Sequence, residues 1–242
     1  MNRCENYLHG MEVTPATPCA RVPLRADMEI DLHIHSRHSP DSFSKPEDIL
    51  RRAKHLGLGA VAVTDHDSWD GSKAATKAAD GSIIVVPGAE LKTDKGDLLA
   101  LFVDGVDARE WTLAIDEIRA KGGVSIVPHP AESKRLTAED LKLADALEVY
   151  NAKCSKSSNE RAAGLAVRLN KPGFGSSDAH MVMSIGNGRT TVHDCVSLDD
   201  LRQHVLREPK VTTRIPTNPL LTFGHAAVCF GLKGIWQKKR SV

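Results

Sequence analysis

The chain has 242 residues, of which 41% are hydrophobic and 26% charged, with a formal net charge of +1. That length and apolar content suit one large domain with a full core. The near-zero charge excludes a broad basic field for long nucleic acid, so a polyanionic substrate would have to be drawn in locally, by bound cations and a few cationic side chains.

Residues 1–27 carry Pro15, Pro18 and Pro23 among scattered polar residues and read as an irregular extension. Met28-Glu29-Ile30-Asp31 then opens the first strand, and a start at Met28 would open the domain with nothing missing. From there strands and helices alternate: strand 30–34, helix 46–56, strand 60–64, a short helix within 71–79 and strand 83–86. Strand 98–103, helix 109–121 ended by Gly122-Gly123, and strand 124–127 follow. Helix 138–144, strand 146–150, helix 158–169, strand 173–175 and helix 198–206 complete the series. The first helix is signalled by Lys45-Pro46-Glu47-Asp48, proline at an early helical position with acids in the first turn, and it closes at Gly57. The segment 215–242 places Leu220, Leu221, Phe223, Val228, Phe230, Leu232, Ile235 and Trp236 before a basic end, and reads as an amphipathic element packed on the domain.

Polar ligand-type residues follow the apolar runs repeatedly. Asp31-Leu32-His33-Ile34-His35 points two imidazoles to one face of a strand, where they can share a metal. Similar punctuation returns at Asp65-His66, Pro87-Gly88-Ala89-Glu90, Val127-Pro128-His129-Pro130 and Ser177-Asp178-Ala179-His180. A barrel of parallel strands presents a metal cluster at its C-terminal rim in this way. Cys4, Cys19, Cys154, Cys195 and Cys229 show neither Cys-x-x-Cys spacing nor a compact framework, which favours free thiols in a reducing compartment, and Cys154, with no base paired to it, reads as structural. The N-terminus lacks the pattern of a secretory signal, and the longest stretch free of charged residues, 215–232, is too rich in Pro, Gly and Asn for a membrane span. A cytoplasmic protein is expected.

In these motifs, over roughly residues 28–214, the chain resembles a stand-alone PHP domain, of the polymerase and histidinol phosphatase superfamily of metal-dependent phosphoesterases. The resemblance implies a distorted seven-stranded (β/α)7 TIM-like barrel with a site for up to three metals. It implies that His33, His35, Glu90 and Asp178 hold the first metal and that Glu90 bridges to a second on His129. Asp41, His66 and His180 would hold a third. Where the family often has a further histidine after the bridging glutamate, this chain offers Asp97 as a replacement ligand. The mixed ligand set suits Zn, Mn or Fe.

Asp65 is expected to orient His66, with ligation or proton relay as alternatives, and Asp65, His180 or His38 to supply the leaving-group proton. Arg37, His38, Lys92, Arg135, Lys153 and Arg189 are the candidates for holding substrate phosphate. Clustered divalent ions that acidify a bridging water and neutralise phosphoryl charge point to phosphate ester hydrolysis by a metal-bound hydroxide. The expected substrates are nucleotide-like or other small phosphorylated molecules, or short oligonucleotide ends, with no long duplex and no membrane as partner. The competing readings are an amidohydrolase-type C–N hydrolase and a noncatalytic metal-binding module.

Overall fold

The computed structural model describes residues 27–218, so the expectations for the segments before and after lie outside the described residues. Strand β1 (Met28–Ile34) sets the architecture. Ile30 and Leu32 join the interior apolar cluster, whereas Ile34 packs in an outer cluster with Ile49, Leu50, Val61 and Val63. The ladder from β1 to β2 (Ala60–Val63) slips between Asp31 and Ile34. A slip of register exchanges the two faces of a strand. The consequence is that His33 and His35 turn inward at the end of β1 while Ile34 seals the outer layer.

Helix α1 (Pro46–His55) forms as expected, with Pro46 in its first turn, Glu47 and Asp48 against the positive end of the helix dipole, and Ile49, Leu50 and Ala53 buried. Helix α2 (Asp70–Ala78) follows β2 and leads to β3 (Ile84–Val86). Next come β4 (Gly88–Lys92), β5 (Asp97–Leu101), α3 (Trp111–Ala120) and β6 (Val124–Val127). Then follow α4 (Ala138–Leu143), β7 (Ala146–Asn151), α5 (Lys156–Leu169) and β8 (Gly173–Ser176). A 3-10 turn (Val182–Ser184), β9 (Gly188–Val192), α6 (Leu198–His204) and β10 (Lys210–Arg214) end the described chain.

The expected seven-stranded barrel is not what forms. The strands make two mixed five-stranded sheets, ordered β10-β9-β1-β2-β3 and β4-β5-β6-β7-β8, and among the described residues no ladder closes them into a barrel. Two parallel triplets, β1-β2-β3 and β6-β7-β8, are present. Antiparallel strands interrupt them, because β4 and β5 form a hairpin and β9 runs antiparallel to both β1 and β10. Pro87, which has no N–H to give a ladder, separates β3 from β4, and the two strands join different sheets. Isolated bridges join the sheets, Ile34 to Ala179 and His66 to Glu90. Both bridges lie at the end that carries the expected ligands.

Between the sheets lies a core of Leu32, Ala62, Leu99, Ile126, Ala146 and Phe174 from both sides. Outside it, Trp111, Ile115 and Ile118 of α3 pack with Leu141 and Leu147, and the Trp111 indole N–H donates to the Asp140 carbonyl at 3.1 Å. None of the helices among the described residues is long and apolar enough to cross a membrane.

Candidate metal centre

The inward turn at the end of β1 brings His33 Nε2 and His35 Nε2 to 3.1 Å. Asp178, just past β8, places Oδ1 3.6 Å from His33 Nε2 and 3.3 Å from His35 Nε2. His33, His35 and Asp178 thus form one ligand group. A second comprises His35, Asp41, His66 and His180, with Asp41 Oδ2 2.8 Å from His180 Nε2 and 3.5 Å from His66 Nε2. Glu90, Asp97 and His129 form a third, and in each group the donor atoms lie within 4.8 Å of one another.

Glu90 stands where these groups meet. Its Oε2 is 3.4 Å from His33 Nε2, 3.4 Å from His35 Nε2 and 3.0 Å from His66 Nδ1, and its Oε1 is 3.4 Å from His129 Nε2. Neither oxygen has a hydrogen-bond partner although both are buried, and Asp41 Oδ1 is in the same position. An orphaned buried carboxylate costs several kcal/mol unless a cation satisfies it, about 1–3 by mutational measures and more for a charge. Converging imidazole nitrogens and unpartnered carboxylate oxygens fit divalent metal ions of the Zn, Mn or Fe type.

The protonation equilibria record the same demand for positive charge. Burial alone would push the Glu90 and Asp178 carboxyls up, yet His33 and its neighbours at Glu90, and Lys153 with His33 at Asp178, hold both well below the usual carboxylate range. His66 is pushed up to about 10: burial opposes its charge, but Asp41 and Glu90 prevail. His35 falls to about 3, chiefly through burial and secondly through repulsion by His180. Without metal, imidazolium protons supply the charge that this acidic cluster requires.

Backbone strain marks two of these positions. His129 and Asp178 take left-handed φ values of 32° and 48°, uncommon for residues with a side chain. At each, the reversal of the chain after β6 or β8 delivers the side chain to the cluster.

Several expected residues take other places. The Asp65 carboxylate accepts from Ser36 N–H at 2.6 Å and Ser36 Oγ–H at 2.7 Å, so it ties β2 to the end of β1 and is not hydrogen-bonded to the His66 ring. A methyl group on Gly71 would overlap Asp65 Oδ2 and Ser36 Oγ. Gly71→Ala is expected to destabilise the fold by about 1–3 kcal/mol, read from the denaturant midpoint. Arg189 donates to Glu29 at 2.9 Å and to the Gly186 carbonyl at 2.8 Å, and Arg135 to the Asp94 carbonyl at 3.2 Å, so these contacts draw both guanidinium groups elsewhere. Arg37, His38 and Lys92 are exposed. Lys153 reaches the cluster, its Nζ 3.4 Å from Asp178 Oδ1 and 3.4 Å from His180 Nδ1. The Cys154 thiol is pushed up to about 12 by burial and by Glu148, Glu132 and Asp178, which suits a structural thiol.

Sequence reasoning missed Glu148 and Asn151. Glu148 Oε1 meets His33 Nδ1 at 3.1 Å, while Oε2 accepts from the His129 N–H at 2.8 Å and from Asn151 Nδ2 at 2.8 Å. Asn151 Nδ2 also donates to Asp178 Oδ2 at 3.0 Å. The available signal was an acid inside the otherwise apolar run Ala146-Leu147-Glu148-Val149.

Two five-stranded sheets with an imidazole and carboxylate cluster at one end define an α/β domain with a candidate metal centre. The PHP domain profile matches residues 31–165 and the PHP-associated profile residues 156–208, and the chain belongs to the PHP domain family. An uncharacterized protein of Methanocaldococcus jannaschii is 34% identical over 147 residues, which span 52% of this chain and 82% of that relative. A two-domain protein from Bacteroides vulgatus, described as containing a predicted PHP-like metal-dependent phosphoesterase, superposes with a TM-score of 0.67 at 19% identity, covering 78% of this chain and 66% of that one. An amidohydrolase from Chromobacterium violaceum, solved with bound sulfate and no metal, superposes with a TM-score of 0.55 at 18% identity, covering 65% of this chain and 89% of that one. At those identities the likeness is one of fold.

Proposed function

We propose that this protein is a cytoplasmic, metal-dependent phosphoesterase acting on small, nucleotide-like phosphate esters. The observation that carries the reading is Glu90: a buried carboxylate neither of whose oxygens has a hydrogen-bond partner, belonging to one ligand group and within 3.4 Å of histidines of the other two. His33, His35 and Asp178 would hold one ion, Asp41, His66 and His180 a second, and Glu90, Asp97 and His129 a third. When bound, such ions supply Lewis acidity toward phosphoryl oxygens and make a water nucleophilic near neutral pH. Lys153, the cation nearest the cluster, would bind a non-bridging phosphoryl oxygen, and Asp178 with its neighbouring carboxylates holds the ammonium charged against the cost of burial. Asp65 is assigned to positioning Ser36 rather than to proton transfer. Free thiols at Cys154 and Cys195 agree with a reducing compartment.

Phosphorus rather than amide carbon is favoured by Lys153, because a second positive group beside the ions suits a dianionic ester more than a neutral amide. The test joins elemental analysis of the purified protein to phosphate release from mononucleotides, glycerol phosphate, histidinol phosphate and short oligonucleotides, with amide substrates beside them. About two or three divalent ions per chain and release that vanishes in His33→Ala are expected. Bound metal without release, or amide cleavage instead, would overturn the proposal.

Asp97 separates the ligand groups experimentally. Its carboxyl is half-buried, and burial, then Glu90, raise its pKa beyond what His129, His66 and His33 offset, whereas His33 at Glu90, and Lys153 with His33 at Asp178, hold those two carboxyls low. Asp97→Ala is expected to lower the affinity of the group around His129 by about 10–100-fold while the ions at the other groups remain, read as stoichiometry against a graded chelator.

A further inference from the structure

Asp31 opens the motif that carries His33 and His35, yet it belongs to none of the ligand groups. It is fully buried, and backbone N–H groups engage both of its oxygens. Oδ1 accepts from Ser177 at 3.0 Å and Oδ2 from Gly186 at 2.8 Å. A buried carboxylate is tolerated only where donors converge on it, so the place of Asp31 in β1 dictates where those two N–H groups lie.

Ser177 and Gly186 bound the loop that follows β8. Between them the chain carries Asp178 of the first ligand group and His180 of the second. At the near end, Ser177 immediately precedes the left-handed Asp178, whose backbone needs its neighbours to hold it there. The far end is gripped from β1 a second time: the Gly186 carbonyl accepts from Arg189 Nε at 2.8 Å, and Arg189 is tied to Glu29 at 2.9 Å. Gly186 has a φ of 75°, and a methyl group there would press on Leu56 and on the Arg189 guanidinium, so the grip needs glycine at this point.

The hold passes from this loop to a further ligand. The His180 carbonyl accepts from Ser42 Oγ at 2.9 Å and from Ser44 Oγ at 3.3 Å, which fastens the segment bearing Asp41 to the same loop. Asp178, His180 and Asp41 thus share one anchorage. Glu90 and Asp97 are placed instead by β4 and β5, and His129 by the turn after β6. We infer that Asp31 is a positioning residue for two of the three ligand groups, those of Asp178 and His180, and acts on them through the loop 177–186. The assignment rests on these groups holding ions, as proposed above, and does not depend on which ester is cleaved.

The test is ion stoichiometry of the full chain against a graded chelator, with Mn or Zn as the probe, in the parent, Asp31→Asn, Asp97→Ala and the double variant. Asparagine nearly matches aspartate in volume but turns one acceptor into a donor that faces an N–H. Asp31→Asn should weaken the ions at the Asp178 and His180 groups by about 10–100-fold and keep one ion at the parent's affinity. The double variant should keep none. Arg189→Met frees the same loop end through a side chain that is not fully buried, and should weaken the same ions by a smaller factor. Asp31→Asn with the parent's affinity throughout, or with every ion weakened alike, means that Asp31 only supports the fold and overturns the inference. If Asp31→Asn does not fold, an Arg189→Met protein with the parent's affinities overturns it equally. A parent that binds no ion brings down the metal reading itself, and this inference with it.

Discussion

Glu148→Ala is expected to cost metal affinity about 10–100-fold, although Glu148 belongs to none of the ligand groups. One oxygen fixes the outer nitrogen of His33, which settles the ring's orientation and leaves Nε2 to face His35. The other holds the N–H of His129, whose backbone is in the strained left-handed region and depends on its surroundings to stay there. Truncation leaves both donors and one hydrogen of the Asn151 amide unsatisfied in a buried site, at about 1–3 kcal/mol for each group that water cannot reach. Glu148→Gln should recover only part of this, since every partner of the carboxylate donates and an amide turns one acceptor into a donor. Chelator competition measures the affinity, and the denaturant midpoint measures the stability. A Glu148→Ala protein that loses stability yet retains the parent's metal affinity would show that Glu148 only supports the fold.

The residues that touch the cluster were largely legible, because ligands must be imidazoles or carboxylates and must lie near strand ends. His33 and His35 announce themselves by alternation within an apolar strand, and Glu90 by its place after Pro87-Gly88. Glu148 escaped because an acid in a strand carries no label for what it supports; its partners come from β1 and from the loop after β6, far away in sequence. The alternation of elements was legible, but the closure was not. Strand direction is decided by turns and by hydrogen-bond partners, so Pro87-Gly88-Ala89-Glu90 read as site punctuation while Gly88–Lys92 forms one arm of a hairpin. Gly188-Arg189-Thr190-Thr191-Val192 and Lys210-Val211-Thr212-Thr213-Arg214 lack the apolar runs used to find strands, and they form β9 and β10. Their hydrogen bonds to β1 and to each other give the first sheet its antiparallel edge.

Glu90→Gln should have the larger effect, uncoupling the fold from metal altogether. In the parent, ions that bind only the folded chain stabilise it by mass action, about 2.7 kcal/mol at a free concentration one hundred times the dissociation constant. For a domain of this size that is a rise in Tm of roughly 5–10 °C. The amide has nearly the same volume, so packing survives, but it removes the negative charge shared by the three groups and puts a donor among imidazole nitrogens. Turnover, bound metal and the metal-dependent rise in Tm should disappear together. The chelated proteins should differ in the opposite sense with pH. His66 has its pKa raised to about 10, partly by Glu90, so its contribution to the metal-free parent is complete below the unfolded value, about 6.5, and fades as pH climbs through 10. Glu90→Gln weakens that interaction and should flatten this alkaline loss. A Glu90→Gln protein whose Tm still rises with Mn or Zn as the parent's does would mean that the ions are held without the carboxylate at the junction, and that the orphaned oxygens of Glu90 answer to some other positive charge.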